Sequence, residues 1–278
     1  MSSSPCVNNL AQEIKRLTAA HGIRMNTDFG QHFLTDATVL RDLLEAGKVT
    51  REDTVLEIGA GMGILTKELI GRAGKVIAVE VDKRWLPLLE EYVGMDTAEA
   101  RRLTVIKANA LKIPFPEEPY KIVANIPYHI TSRLFRQAFL HAPLPPISMT
   151  LLVQKEVADK IRGKDGRTML TILIELFGKP RMVRTVPPGA FAPPPRVDSA
   201  IIHVDCFPSP LLDKPGLDAV FRLTSLAFGK KRKMLRRSIG KIHGGMELLE
   251  RAGIDPERRP ETLSIEEWVV VAKASLKD

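Results

Sequence analysis

Leu10, Ile14 and Leu17 recur at helical spacing, so the first predicted element is a short amphipathic helix that stops at His21-Gly22. A polar stretch from Asn26 to His32 leads into the apolar pair Phe33-Leu34. Thr35-Asp36 is placed to cap a second helix with Val39, Leu40, Leu43 and Leu44 on its buried face. The pattern then changes to short apolar runs separated by helical periods. Thr54–Ile58, Lys75–Val81, Leu103–Ile106, Tyr120–Ala124 and Met149–Val153 read as strands. Helices are predicted at Ile64–Leu69, at Trp85–Tyr92, from about Thr131, and at Glu156–Ile161; Pro87 falls in a first turn, where its missing N–H is not needed. Buried strands alternating with helices predict an α/β fold with a mostly parallel, doubly wound sheet.

Two further strands, Arg181–Val186 and Ser199–Val204, flank a proline-rich turn from Pro187 to Pro195. Composition shifts near Pro208-Ser209-Pro210, and beyond it the pattern reads as helix only. We therefore expect an N-terminal extension over 1–27, an α/β domain over 28–207 and a small all-helical domain over 208–278. The last helix has a capping box, Ser264 with Glu267, and a hydrophobic staple, Leu263 with Trp268. Ile265, Trp268, Val269 and Ala272 form its apolar face.

Composition narrows the classes. With 44% hydrophobic and 27% charged residues among 278, the chain has enough apolar surface for a core, which excludes a disordered chain. No apolar run approaches the length of a membrane span, and Met1–Pro5 lacks a signal pattern, so no membrane partner and a cytoplasmic location are expected. Cys6 and Cys206 lie far apart without a CxxC, and His21, His129, His141, His203 and His243 show no ligand spacing, so neither a disulfide framework nor a metal is expected. The net charge of +8 suits a polyanion, nucleic acid or an acidic membrane face. Its densest basic stretch is Lys230–Arg237, holding Lys230, Lys231, Arg232, Lys233, Arg236 and Arg237.

Two motifs carry chemistry. Glu57-Ile58-Gly59-Ala60-Gly61-Met62-Gly63 sits where the first strand of the alternating region hands over to a helix. Glycines there permit positive φ and close approach of a ligand to the backbone. A dinucleotide fingerprint needs glycine or alanine where this chain has Ile64. The spacing instead resembles the loop of S-adenosylmethionine (SAM) methyltransferases, and so implies a Rossmann-like methyltransferase domain. Glu80, at the end of the next strand, stands where an acid can accept from both ribose hydroxyls. The structural alternative is a tight turn and a solvated acid.

The second motif, Asn125-Ile126-Pro127-Tyr128, directly follows the fourth strand of the alternating region, beside the glycine loop in an open parallel sheet. Its parts suit methylation of an exocyclic adenine amine, whose lone pair is delocalised into the ring. The Asn125 amide oxygen and the Ile126 carbonyl can hold the amine in attacking geometry, and Tyr128 can stack on the base. No strong base is required, because the amine becomes acidic as it gains the methyl. The plainer reading is a strand-end turn with a buried tyrosine.

With these residues in order, the chain resembles the ribosomal RNA small-subunit adenine N6,N6-dimethyltransferases over nearly its whole length. The resemblance runs through Gly30–Leu34, Glu57–Gly63, Glu80, Asn125–Tyr128, the block Phe191–Ser199 and the basic, helical signature Phe228–Arg236. It implies SAM as methyl donor, S-adenosylhomocysteine as product, and the rRNA of the small ribosomal subunit as partner. It assigns Gln31, His32, Leu34, Glu57, Gly59, Gly61, Gly63, Glu80, Asn109, Ala110 and Asn125 to the cofactor. Asn125, Ile126, Pro127, Tyr128 and Phe191 go to the target adenine, Phe191 stacking opposite Tyr128. One departure stands out: Asn109 occupies the place of the family's usual Asp, keeping an acceptor without its charge. Two other readings stay open, a large-subunit rRNA adenine methyltransferase and a non-catalytic ribosome-assembly or transcription-factor relative. Nothing in the sequence points to an oligomer, so a monomer is expected.

Overall fold

The structure, a computed structural model, describes residues 10–23, 25, 31–229 and 233–276. Contacts divide the chain into two compact units: Met1–Ala158 with Arg181–Cys206, and Asp159–Pro180 with Phe207–Asp278. Among the described residues no helix is long and apolar enough to cross a membrane.

The first unit is built on a sheet of β2 (Thr54–Ile58), β3 (Lys75–Glu80), β4 (Leu103–Lys107), β5 (Tyr120–Asn125), β6 (Ser148–Gln154), β7 (Gly178–Val186) and β9 (Ser199–Cys206). Their order is β4-β3-β2-β5-β6-β9-β7. The pairs β4–β3, β3–β2, β2–β5 and β5–β6 are parallel, while β9 joins β6 antiparallel, with Gln154 opposite Ser199 and Ser148 opposite Asp205. All five residues of β2 are buried, as a central parallel strand requires, whereas the edge strand β4 is partly open. The order runs β2 to β3 and β4 on one side and β5 to β6 on the other. The switch point therefore falls between β2 and β5, where open α/β sheets form a crevice at the strands' carboxyl ends.

Local chemistry sets the helices. Asp36 caps α2 (Ala37–Gly47), its carboxylate accepting the Thr38 and Val39 N–H groups at 2.8 and 3.1 Å. Val39, Leu40, Leu43 and Leu44 are buried, as their spacing predicts. Helix α3 (Ile64–Ile70) follows the glycine turn, and α4 (Leu86–Val93) carries Pro87 in its first turn. Helices α5 (Thr131–Arg136) and α6 (Lys155–Ile161) fall where the spacing places them. The segment expected as an extension contributes to the core. Leu10, Ile14 and Leu17 of α1 (Leu10–Ala20) are buried in the same apolar cluster as Leu65, Leu69 and Leu88.

The second unit is helical: α7 (Met169–Phe177), α8 (Lys214–Phe228), α9 (Gly245–Arg251) and α10 (Ile265–Ala274). The sequence pattern assigns no element to residues 162–180, yet α7 belongs here. Six of its nine residues are buried, and its Leu176 and Phe177 carbonyls accept from Leu211 and Phe207 N–H at 2.9 and 2.8 Å. The capping box of α10 forms as predicted, with Ser264 and Glu267 satisfying each other's backbone N–H groups. The basic stretch departs from the expected helix. Lys230, Lys231 and Arg232 lie outside the described residues, and the chain after Met234 makes two short 3₁₀ turns, Leu235–Arg237 and Ile239–Lys241. The Leu235 and Arg236 N–H groups donate to the Arg258 and Pro256 carbonyls, at 2.8 and 2.9 Å, instead of to a preceding helical turn.

Candidate active site

At the switch point lies a cavity of about 680 Å³, lined from the carboxyl ends of β2, β3, β4 and β5. The glycine turn makes its floor. The Gly59 and Ala60 N–H groups both donate to the Val79 carbonyl, at 2.8 and 3.2 Å, which folds the turn back onto β3. Gly59 has φ +76°, and a Cβ there would stand 3.3 Å from Pro127 Cδ, so the turn and the Asn-Ile-Pro-Tyr corner nearly touch. Gly61 has φ +56°, and a Cβ there would stand 2.7 Å from the Phe33 ring. Gly63 differs from both. It caps α3 at φ +90° and faces Leu89 and Val93 of α4, off the cavity wall. Its glycine serves helix packing, so the structure does not group it with the expected cofactor residues.

Two carboxyl groups stand at adjacent strand ends, both raised in pKa by burial. Glu80 accepts the Gly61 and Asp82 N–H groups, both at 2.8 Å; burial pushes its pKa up while those donors pull it back. Glu57 is 1% exposed and accepts from Thr66 Oγ1 at 2.6 Å. Burial pushes its pKa to about 8, with the Glu80 charge acting in the same direction, so it holds its proton at neutral pH. Asp82, at the rim, goes the other way: hydrogen bonding to Arg84 brings it to about 2, and Gln31 Nε2 donates to it at 3.1 Å.

A two-residue ribbon brings the N-terminal motif to the cavity. Strand β1 (Phe33–Leu34) pairs antiparallel with β8 (Phe191–Ala192), Phe33 opposite Ala192 and Leu34 opposite Phe191. His32 Nδ1 continues the link by donating to the Pro193 carbonyl at 2.8 Å; a carbonyl only accepts, which places the proton on Nδ1. Phe33 packs edge-on against buried Trp85, ring centroids 4.7 Å apart. Gln31, His32 and Leu34 thus line the cavity. Gly30 lies outside the described residues.

The Asn-Ile-Pro-Tyr corner is tied to the same ribbon. Asn125 Nδ2 donates to the His32 carbonyl at 3.2 Å, which orients the amide. Ile126 is buried, and after Pro127 the chain enters a 3₁₀ turn over Tyr128–Ile130. The Tyr128 ring stacks beside His32, centroids 6.1 Å apart at 19°. Its hydroxyl, pushed up in pKa by burial, meets Ser199 Oγ at 2.7 Å. Asn109 and Ala110 line the cavity after β4, and Asn109 Oδ1 accepts the Leu111 N–H at 3.0 Å.

Sequence reasoning overlooked part of the wall. Val81 is 67% exposed and lines the cavity beside Glu80; Leu111, Phe33 and Arg133 also reach it. The position of Val81 directly after Glu80, at a strand end, is the signal the sequence carries. Phe191 is buried in the core cluster and does not reach the wall. Lys233, Arg236 and Arg237 are exposed in the second unit, where Arg236 Nε pairs with Glu257 at 2.8 Å.

This donor set fits SAM. Gly59 and Gly61 offer backbone without a Cβ, Glu80 offers a carboxyl held by backbone, and Val81, Ala110 and Leu111 offer apolar surface beside the Asn109 turn.

Residues 22–277 match the family model for ribosomal RNA adenine dimethylase. A ribosomal RNA small subunit methyltransferase A from Dehalococcoides mccartyi is 41% identical over 267 residues, covering 94% of this chain and 91% of its own. One of the same name from Clostridium botulinum is 36% identical over 266 residues, covering 91% and 95%. Among solved structures, a dimethyladenosine transferase from Plasmodium falciparum superposes with a TM-score of 0.75 at 28% identity, over 88% of this chain and 98% of its own. The 23S rRNA methyltransferase ErmE gives 0.73 at 28% identity, over 87% and 98%. The family match runs through both compact units, so the whole chain, and not its sheet alone, belongs to the ribosomal RNA adenine dimethylase family.

Proposed function

We propose that this protein transfers methyl groups from SAM to N6 of adenines near the 3′ end of small-subunit rRNA, giving N6,N6-dimethyladenosine. It acts as a cytoplasmic monomer on the small ribosomal subunit. The observation that carries the reading is the Asn125–Tyr128 corner on the wall of the cavity whose floor is the glycine turn. When bound, SAM supplies an electrophilic methyl on its sulfonium. Glu80 holds the ribose hydroxyls, the Gly59–Gly61 backbone receives the methionine and ribose end, and the Asn109 turn meets the adenine edge. With Nδ2 engaged by the His32 carbonyl, Asn125 offers its Oδ1 to the target amine. The Ile126 carbonyl supplies the second acceptor, so the two oxygens steer the lone pair and hold the N–H protons as they become acidic. Tyr128 carries the base on its ring, a contact worth about 1–3 kcal/mol in single-strand binders. For Phe191 to stack on the other face, its ring must leave the buried place it occupies here.

A target adenine must be unpaired or flipped out to enter. We assign the second unit to rRNA binding, with the stretch Lys230–Arg237 on phosphates. The test uses purified small subunits lacking adenine dimethylation, incubated with protein and SAM, and mass spectrometry of the rRNA. Dimethyladenosine near the 3′ end, abolished by Asn125→Ala, is expected. Binding without methyl gain would sink the enzyme reading for this substrate, and methylation of large subunits instead would move it to the large-subunit class.

A further inference from the structure

Ser199 is fully buried at the start of β9, opposite Gln154. A hydroxyl inside a sheet is costly unless it is hydrogen-bonded. The hydrogen bond its Oγ makes among the described residues goes to Tyr128 Oη, at 2.7 Å. That tyrosine begins a 3₁₀ turn and lines the cavity. Its ring is therefore held at two places: the hydroxyl tip by Ser199 and one face by the His32 ring. His32 is itself fixed, its Nδ1 on the Pro193 carbonyl and its own carbonyl on Asn125 Nδ2.

We propose that Ser199 is a positioning residue for methyl transfer, acting through the Tyr128 hydroxyl to set the plane on which the target adenine lies. The assignment rests on the adenine-methylation reading above. A stacking platform with a free ring torsion must be ordered each time a base arrives, and it presents the amine over a spread of angles. A hydrogen bond at the far end of the ring removes that freedom in advance. It also gives the Phe191–Ser199 block a purpose beyond Phe191. One end of the block pairs with β1 at the cavity wall, and the other locks the base platform.

The test is a double-mutant cycle on methylation of undermethylated small subunits, read as kcat, with SAM affinity measured separately by calorimetry. Ser199→Ala and Tyr128→Phe each cut the same hydrogen bond, and each should lower kcat by about three- to tenfold. SAM affinity of Ser199→Ala should stay within about twofold of wild type, since Ser199 does not line the cavity. The combined variant should be no slower than the slower single one, because both remove one interaction. Ser199→Thr, which keeps the hydroxyl, should recover most of the rate. Losses that multiply in the double variant, or a wild-type rate in a folded Ser199→Ala protein, would overturn the assignment. If Ser199→Ala does not fold, Tyr128→Phe decides alone, and its wild-type rate would be fatal. Wild-type protein that leaves the subunits unmethylated would instead overturn the functional reading, and this assignment with it.

Discussion

Alanine at position 61 would carry its Cβ to 2.7 Å from the Phe33 ring on a backbone held at φ +56°. The left-handed backbone alone costs about 1–2 kcal/mol once a Cβ is present. The forced contact adds about 1–3 kcal/mol unless a neighbour moves. Phe33 is the neighbour that gives way. It sits on a two-residue strand, whereas the glycine turn is tied to Val79 by two backbone hydrogen bonds. Displacing Phe33 shifts the cavity wall. At position 63 the same substitution meets Leu89 Cγ and Val93 Cγ2 at 3.1 Å on a backbone at φ +90°, away from the wall. Both variants should lose about 2–5 kcal/mol of stability, or about 4–20 °C in melting temperature at this chain length. Only Gly61→Ala should also weaken SAM binding, by about tenfold or more, equivalent to ~1.4 kcal/mol. Scanning fluorimetry gives the first quantity and titration calorimetry with SAM the second. A Gly63→Ala protein with the wild-type melting temperature and the SAM affinity of Gly61→Ala would refute the division of labour within the turn.

Glu57 has an ordinary value of 4.5 and a folded value of about 8. Between those limits the native state binds a proton that the unfolded state does not, so stability falls as pH rises through that window and levels off above it. Glu57→Gln removes that slope; the gap in melting temperature should open in the variant's favour from pH 5 to pH 8, and a constant gap would contradict the assignment. Asn109→Asp should tighten SAM binding by about three- to tenfold, because an ionised acceptor makes the stronger bond; unchanged affinity in calorimetry counts against it. Lys233→Ala with Arg237→Ala should weaken binding to small subunits and flatten its salt dependence by about one unit of slope per lost phosphate contact. An unchanged slope in filter binding would remove these residues from the RNA surface.

The strands of the sheet were readable because a strand buried between two helical layers is mostly apolar, and the few polar residues it holds are hydrogen-bonded, as Glu57 is to Thr66. Thr54–Ile58 and Ser148–Gln154 show it as apolar runs ending at turn signals. Asn125 and Glu80 were locatable for a related reason, since strand ends in such a sheet face the crevice. Helix α7 escaped because its residues are apolar nearly all round, which erases the helical period, and its capping box uses Thr171 where Glu or Gln is the usual sign. The basic stretch misled in the opposite way. Its composition suits a helix, but its backbone donors are taken by residues 256 and 258, a tertiary choice invisible locally. Gly63 matched the loop pattern, yet its neighbours on α4 lie a whole strand and turn away in sequence. The ribbon of β1 and β8 had no signal at all: two residues each, joined across most of the first unit.

That ribbon bears on how the protein comes into being. Chains leave the ribosome N-terminus first, and domains begin to fold as they emerge. Here the glycine turn, Glu80 and Asn125 are all made early, whereas the strand that fixes Phe33 and the serine that holds Tyr128 come at 191 and 199. A nascent chain paused before that point has every residue that touches the cavity but neither the outer support of its wall nor the lock on its base platform. The wall at Phe33 and the contact of the Tyr128 hydroxyl are therefore completed only once residues 191–199 have been made.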